Sequence, residues 1–202
     1  NGGSWRSINL NTKVPLSECV FIGEKHGWIA ARHGGVYKTV DGGEHWERFS
    51  TQTLIDIHSI SFSDSLHGLV VGEEGKIFST SDGGRQWKSE ISYTGYILNS
   101  CLLTDGQTGY AVGRFGTILK TLNGGIDWFH LYSGTAHDLK KIIHVDSETL
   151  IVCGNYGTVL RSTDRGNTWK TVFMGPEIQF NDVAFWGRYT GIVTGASGLL
   201  FR

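Results

Sequence analysis

Apolar and polar positions along the chain form one pattern that returns five times. Each copy begins with apolar residues at its first and fourth positions and, except for His144 in the fourth copy, at its sixth, as in Ile57, Ile60 and Phe62. A nearly continuous apolar run follows, then a turn with glycine, a third short apolar segment and a polar motif. Short apolar segments between glycine-rich and polar turns are typical of β-strands. The break from strict alternation at the start of each copy predicts a β-bulge in the first strand.

A glycine ends the turn after the second apolar run in every copy. These runs, such as Leu69-Val70-Val71-Gly72, are apolar almost throughout, which predicts strands covered on both faces. Glycine at one turn position in all copies predicts a backbone conformation that other residues avoid. The five glycines are Gly34, Gly75, Gly116, Gly157 and Gly198.

A motif of the form Ser/Thr-x-Asp/Asn-x-Gly-x-x-Trp, here called the box, separates the third and fourth strands four times. Its acidic or amide position recurs at a constant interval along the chain. The short polar side chain caps backbone N–H groups and the glycine turns the chain, so the box predicts a stiff hairpin turn. Its tryptophan predicts an apolar anchor that is buried where repeats meet. These structural residues are Asp41, Trp46, Asp82, Trp87, Asn123, Trp128, Asp164 and Trp169.

Four short strands in every repeat, with the box at fixed register, predict one blade of a β-propeller per repeat. We therefore predict an all-β fold, a single β-propeller over residues 1–202 with five four-stranded antiparallel blades. Trp5 precedes Trp46 by the same interval that separates successive boxes, so it is in register with an outer strand. We expect residues 1–10 to pair with residues 179–202 and to close the ring, which would remove an exposed sheet edge. The alternative is a ring of six or seven blades of which this chain forms a part.

Composition excludes several classes of function. The net charge of −1 gives no basis for nucleic-acid binding. The sequence has no run of eighteen apolar residues, so we predict no membrane insertion. The eight histidines lack the spacing of metal ligands, and no glycine-rich loop leads into a helix, so we predict neither a metal nor a cofactor. Cys19, Cys101 and Cys153 occupy apolar strand positions in different repeats, so we expect no disulfide.

One stretch carries a family resemblance. Residues 109–121 read Gly-Tyr-Ala-Val-Gly-Arg-Phe-Gly-Thr-Ile-Leu-Lys-Thr, which is similar to repeats of the photosystem II stability/assembly factor family. The box itself resembles the Asp-box, or bacterial neuraminidase repeat. The resemblance extends over essentially the whole chain. It implies a non-catalytic binding or assembly scaffold, a protein partner and an extracytoplasmic location, whether periplasmic, lumenal or secreted.

The turns before the five glycines vary between repeats and supply the candidate site. Propellers usually bind ligands on the face that carries these turns, around the central channel, which is an analogy from fold. In the assembly-factor family, arginines of the Gly-Arg-x-Gly type look like part of a partner-binding patch. Arg114 matches that motif, whereas Arg32 matches less well because Ala31 replaces the first glycine. The candidate partner-binding residues are Arg32, His33, Glu73, Arg114 and Tyr156.

A glycan-active protein, either a sialidase-like glycoside hydrolase or a lectin, is the alternative. Other Asp-box propellers include sialidases, whose Arg-Ile-Pro signature is missing here. Glu73 and Glu74 are the candidate pair of carboxylates, but adjacent residues in a turn rarely converge on one bond. The sequence therefore favours a non-enzymatic module.

Overall fold

The computed structural model describes residues 5–175 and 178–202, and its strands form five antiparallel sheets that follow one another along the chain. Blade 1 has strands β1 (Leu16–Ile22), β2 (His26–Ala31), β3 (Gly35–Thr39) and β4 (Glu47–Ser50). Blade 2 has β5 (Ile57–Phe62), β6 (Gly68–Gly72), β7 (Ile77–Thr80) and β8 (Lys88–Glu90). Blade 3 has β9 (Leu98–Leu103), β10 (Gly109–Gly113), β11 (Ile118–Thr121) and β12 (Phe129–Leu131). Blade 4 has β13 (Leu139–His144), β14 (Leu150–Gly154), β15 (Val159–Ser162) and β16 (Lys170–Phe173). Blade 5 has β17 (Phe180–Phe185), β18 (Gly191–Gly195) and β19 (Leu200–Phe201).

The strand order within each sheet is the order along the chain, so every blade is a meander of hairpins. This arrangement confirms the predicted all-β propeller with five blades. The first strand of every blade changes register near its start, for example between Ile57 and Ser59, which confirms the predicted β-bulge. Within the described residues, no helix has the length and apolar character needed to cross a membrane.

The box turns have the hydrogen bonds that their sequence predicts. In blade 2, the Thr80 hydroxyl donates to Asp82 Oδ1 at 2.9 Å, and the backbone N–H of Gly84 donates to the Thr80 hydroxyl at 2.9 Å. The N–H of Gln86 donates to Asp82 Oδ1 at 3.0 Å. The same bonds recur in the other three boxes, with Asn123 replacing the aspartate in blade 3. The box therefore fixes the hairpin between the third and fourth strands.

Neighbouring blades pack face to face through repeated positions. The side of a blade that meets the next blade, here called its leading face, carries residues such as Trp28, Ala30 and Val36. The opposite side, here called the trailing face, carries the first-strand residues and the box tryptophan, as in Ile57 and Trp87. Four apolar clusters of this kind join blades 1 to 5 in sequence order. Burial of these faces provides the main driving force for folding.

Within the described residues, residues 5–10 do not form the predicted pairing with residues 179–202. Residues 5–10 form no strand, Trp5 is 94% exposed, and Arg6 forms an ion pair with Glu44 in the box of blade 1. Residues 1–4 lie outside the described residues, and blade 5 has three strands in the part of the chain that the structure describes. In blades 1–4 the box joins the third and fourth strands locally. Residues 5–10 would have to pair across most of the chain without that turn.

The tryptophan anchors are buried to different extents. Trp87 and Trp128 are buried between blades, as predicted, and Trp169 packs partly against the cluster between blades 3 and 4. Trp46 is only half-buried, which corrects the expectation for blade 1. Its ring contacts Phe21 of its own blade, with centroids 6.1 Å apart, and no preceding blade covers it in the described structure.

We expect Trp128→Ala to lower the free energy of unfolding by about 3–5 kcal/mol, because it removes a large buried ring. Trp46→Ala should cost about 1–2 kcal/mol less, since part of that ring is already in water. Denaturant unfolding of both variants measures the difference. Equal losses would contradict the assignment of Trp46 to an uncovered face.

The box aspartates should make stability depend on acid pH. Hydrogen bonds from the Thr168 side chain and backbone lower the pKa of Asp164 from 3.8 to about 2. Because the folded pKa lies below the unfolded one, this contribution is complete above about pH 4 and is lost as the pH falls towards 2. Asp164→Asn keeps the acceptor oxygen, as Asn123 does naturally, so its melting temperature should fall less between pH 5 and pH 2.5. A fall as steep as in the wild type would contradict this origin of the acid sensitivity.

Candidate functional site

The antiparallel order of strands separates the loops onto two faces. The boxes and the turns between first and second strands lie on one face, here called the box face. The turns that end in the five glycines lie on the other, here called the turn face, together with the loops that connect one blade to the next. The candidate partner-binding residues all belong to the turn face.

Two consecutive left-handed residues shape every turn on this face. In blade 3, Phe115 has φ 54° and Gly116 has φ 69°, and the same pair of positive φ values occurs in all five blades. A side chain at Gly116 would place its Cβ 2.0 Å from the carbonyl oxygen of Thr135, so only glycine fits there. At Gly116, the predicted need for glycine is thus explained by the positive φ and by the close approach of the Thr135 carbonyl oxygen. The residue before this left-handed pair carries no such constraint, and its identity differs between blades.

The two candidate arginines, Arg32 and Arg114, each form an ion pair with an aspartate. Arg32 Nε lies 3.4 Å from Asp56 Oδ2, and Arg114 Nε lies 3.9 Å from Asp138 Oδ2. In both blades the aspartate comes from the following connecting loop. Its Oδ1 also accepts the backbone N–H of the residue after the arginine, at 3.2 Å from His33 and 3.1 Å from Phe115. Each guanidinium is therefore oriented by an aspartate and still exposes about half of its side chain, 54% and 51%.

His58 lies where the charges of blades 1, 2 and 3 act together. Burial lowers the pKa of His58, Glu73 and Asp56 raise it, and Arg32 and Arg114 lower it. Its Nε2 atom is buried and has no hydrogen-bond partner among the described residues. Arg32, Glu73 and Arg114 are thus near enough to the half-buried imidazole at the start of β5 to influence its pKa. His33 joins this group, with Nε2 4.0 Å from Asp56 Oδ1.

Tyr156, the fifth candidate, is placed differently. Its exposed ring stacks on His137, with centroids 4.5 Å apart, and His137 Nδ1 lies 3.0 Å from the Thr158 hydroxyl. This pair belongs to blade 4 and the loop that leads into it. Tyr156 therefore extends the turn face beyond the charged group.

A group of aromatic residues on this face was not found from the sequence. Tyr93, Tyr96, Phe115 and Tyr132 line a pocket of about 490 Å³ between blades 2 and 3, and all four rings are exposed. Tyr96 and Phe115 lie 4.7 Å apart between ring centroids. Tyr93 has φ 56°, in the left-handed region, where the next repeats carry Gly134 and Gly175. A tyrosine at a position that favours glycine was the signal available in the sequence.

Polar side chains of the first strands pair with one another around the central channel. Ser59 donates to Glu18 Oε2 at 2.6 Å and accepts the backbone N–H of Cys101 at 3.1 Å. Lys141 of blade 4 forms an ion pair with Glu18 of blade 1 across the channel. Burial lowers the pKa of Lys141, but Glu18 more than offsets this, so the pKa lies above its usual value. Because these side chains are already paired with one another, binding chemistry is directed to the rim of the turn face.

The remaining candidate residues have structural positions. The box aspartates and Asn123 are occupied by their own turns on the box face. Glu74 has φ 56° and follows Glu73 in a 3₁₀ turn, so the two carboxylates are neighbours along one strained segment. Within residues 5–175 and 178–202, no group of three or more His, Cys, Asp or Glu side chains is arranged to hold a metal ion.

Comparison with known proteins gives a partial family match and a fold. Residues 48–135 match the family model of the Photosynthesis system II assembly factor YCF48. No curated protein sequence matches the chain.

Three solved structures illustrate the likeness in fold. A structure of YCF48 bound to a D1 peptide has 16% identity and a TM-score of 0.61, covering 97% of this chain and 93% of that one. An ancestral GH74 enzyme has 17% identity and a TM-score of 0.71, covering 91% of this chain but 28% of its own. The WD40 β-propeller domain of Doa1 has 14% identity and a TM-score of 0.71, covering 93% of this chain and 64% of that one. The structural similarity establishes the propeller fold, and at identities this low it says nothing about function.

Tyr93 offers a test of whether the aromatic group serves the fold. Tyr93→Gly relieves a strained backbone and removes an exposed ring, so the free energy of unfolding should stay within about 1 kcal/mol of the wild type. Denaturant unfolding measures this change. A larger loss would show that the ring stabilises the fold and would remove Tyr93 from the candidate site.

Proposed function

We propose, from the premise that residues 48–135 carry repeats of the photosystem II assembly factor family, that this protein is a non-catalytic propeller that binds a protein partner on its turn face. The observation that carries the proposal is the presence on one face of Arg32 and Arg114, each paired with an aspartate, together with exposed aromatic rings. The neighbouring charge of Glu73 makes the surface mixed in sign.

The oriented arginines suit recognition of a polar partner. A guanidinium held at Nε keeps its outer N–H groups available as a fixed fork for carboxylates or backbone carbonyls. Because Asp56 and Asp138 already restrict the arginine side chains, less conformational entropy is lost when a partner binds. The aspartates also lower the net positive charge, so the surface favours a partner with a few well-placed acceptors over a polyanion.

The aromatic rings supply the apolar part of the contact. Tyrosine and arginine are enriched among residues that dominate binding energy in protein interfaces. Tyr96 and Phe115 form one side of the pocket between blades 2 and 3. Phe115 follows Arg114 directly on the same turn. We infer that an apolar side chain of the partner enters this pocket while the arginines bind its polar groups.

The likeness to YCF48 supports a peptide as the form of the partner. That protein has been solved with a D1 peptide, so a propeller of similar fold accommodates a peptide segment. A segment in extended conformation would present backbone carbonyls and side chains together to the turn face. We therefore propose that the partner contributes an exposed peptide segment.

A glycan-active role is the second candidate and rests on fold alone. GH74 enzymes share the propeller fold with this chain, but the chain covers only 28% of the ancestral enzyme. Turnover of glycosides by the purified protein, lost in Glu73→Gln, would replace the scaffold proposal.

The proposal is tested by removing the two arginines together. Arg32→Ala with Arg114→Ala should leave the free energy of unfolding nearly unchanged, since exposed substitutions are usually within about 0.5 kcal/mol. Capture of native partners by the immobilised protein should fall, and wild-type capture should weaken with added salt, as expected for charged recognition. Quantitative mass spectrometry of the captured proteins measures both effects.

The box face supplies a matched control. Arg165 and Arg188 are also exposed arginines paired with carboxylates, Glu148 and Asp146, but they lie on the opposite face. Arg165→Ala with Arg188→Ala changes the net charge by the same amount and should leave capture unaffected. Equal recovery of every partner by all three proteins would exclude the turn-face arginines as the binding site.

A further inference from the structure

One position of the third strand carries a basic residue that contacts the box of the next blade. In blade 3, Lys120 Nζ donates to the carbonyl oxygen of Arg165 and to Asn167 Oδ1, both at 2.7 Å. Nζ also lies 5.7 Å from the centre of the Tyr110 ring, a distance typical of a cation–π interaction. The contact between this strand and the following box is therefore a built site for an ammonium group.

Blade 1 repeats this arrangement with Lys38. Its Nζ lies 5.7 Å from the centre of the Trp28 ring, and the indole N–H of Trp28 donates to the carbonyl oxygen of Gly83 at 2.9 Å. Gly83 has the same place in the blade 2 box as Arg165 in the blade 4 box. A Cβ added at Gly83 would lie 2.6 Å from Lys38 Nζ, so the ammonium group fills the space beside this box.

Between blades 2 and 3 the lysine is replaced by Ser79, and a pocket opens beside the next box. Gly124 of that box corresponds to Gly83, but a Cβ added there would meet only the carbonyl oxygen of Gly106 within 4 Å. The Gly124 carbonyl oxygen accepts no hydrogen bond from the described residues, whereas the equivalent oxygens in the boxes of blades 2 and 4 do. The pocket, of about 580 Å³, thus lies where the other two contacts hold an ammonium group.

Glu90 supplies a negative charge to this pocket. It lies on β8 at the position of Phe49 in blade 1 and Leu131 in blade 3, so a carboxylate replaces an apolar residue. Its side chain is only 6% exposed. The Ser79 hydroxyl donates to Oε1 at 2.8 Å, and the exposed Lys88 reaches no closer than 3.8 Å to the same oxygen. Oε2 has no hydrogen-bond partner among the described residues, so the buried carboxylate is left with capacity to bind a cation.

The charge of the box itself changes at the same place. The boxes that receive a lysine carry an aspartate, Asp82 in blade 2 and Asp164 in blade 4, whereas the blade 3 box carries Asn123. Loss of the lysine together with the box aspartate would leave a neutral site. Glu90 instead returns a negative charge to it from the blade 2 side. A buried charge without a partner is unfavourable, so this site favours a cation from outside the chain.

We propose that this pocket, here called the box pocket, binds a primary ammonium group, carried either by a lysine side chain of a peptide or by a free alkylamine. The ammonium group has three N–H donors, which suit the Glu90 carboxylate and the Gly124 carbonyl oxygen. Its alkyl chain can lie along Trp87 and Ile126, which also line the pocket. The box pocket is on the box face, so it is a separate site from the partner-binding surface of the turn face.

Titration with butylammonium chloride, followed by NMR of the isotope-labelled protein, tests the site directly. The amide of Gly124 and the indole N–H of Trp87, which is buried without a partner, should shift and saturate at millimolar concentrations. Sodium chloride and tetramethylammonium chloride at equal ionic strength should not cause this shift, because neither cation donates a hydrogen bond. Nα-acetyl-lysine methylamide distinguishes the two sources: binding of both probes indicates a peptide lysine, and binding of butylammonium alone indicates a free amine.

Three variants complete the test. Ser79→Lys supplies the ammonium group from the chain itself and should abolish binding by filling the box pocket. Glu90→Gln should weaken binding about tenfold or more, because a hydrogen bond to a charged group is lost. Ser89→Lys adds the same charge at an exposed neighbouring position and should bind like the wild type.

The expected result is saturable binding by the wild type and Ser89→Lys that is lost in Ser79→Lys. If Glu90→Gln does not fold, Ser79→Lys decides alone, because blades 1 and 3 already carry lysine at this position. Absence of a saturable shift in the wild type would overturn the proposal. Unchanged binding by Ser79→Lys, or an equal loss in Ser89→Lys, would overturn it as well.

Discussion

Packing between the leading face of one blade and the trailing face of the next is the interaction on which the molecule depends. The meander within a blade satisfies backbone hydrogen bonds, but a single four-stranded sheet leaves both its faces in water. Stacking of blades buries both faces of the internal blades, as shown by the complete burial of Val70, Val71 and Ala111. Repetition at fixed register is what makes each face fit its neighbour.

The two faces of the propeller carry different types of turn, and each type constrains its side chains differently. The box face is fixed by internal hydrogen bonds, so its polar side chains are largely used by the turn itself. On the turn face, conformation is fixed by a left-handed pair that ends in glycine, and the residue before this pair is free of that constraint. Arginine, glutamate, asparagine and alanine can therefore occupy the same place in different blades. This freedom allows a binding surface to be built on a repeated scaffold without disturbing it.

Electrostatic pairing on the turn face joins neighbouring blades and prepares the surface at the same time. Asp56 and Asp138 each receive a backbone N–H and an arginine from the preceding blade. The same carboxylates thus fix the connecting loop and orient the guanidinium. Glu18 and Lys141 perform the corresponding role inside the channel, where they tie opposite blades together.

The sequence alone determined the strands, the bulges, the box turns and the turn glycines, because each depends on residues a few positions apart. The constant interval between boxes then determined how many blades the chain contains. It also located Arg32 and Arg114, but not the aspartates that orient them or the aromatic pocket beside Phe115. The placement of residues 5–10, the partial exposure of Trp46 and the pairing of Glu18 with Lys141 were decided by the tertiary structure. Glu18 and Lys141 are 123 positions apart, and they meet only because of the angle at which successive blades stack. That angle comes from the packing of whole faces, which no local pattern of residues contains.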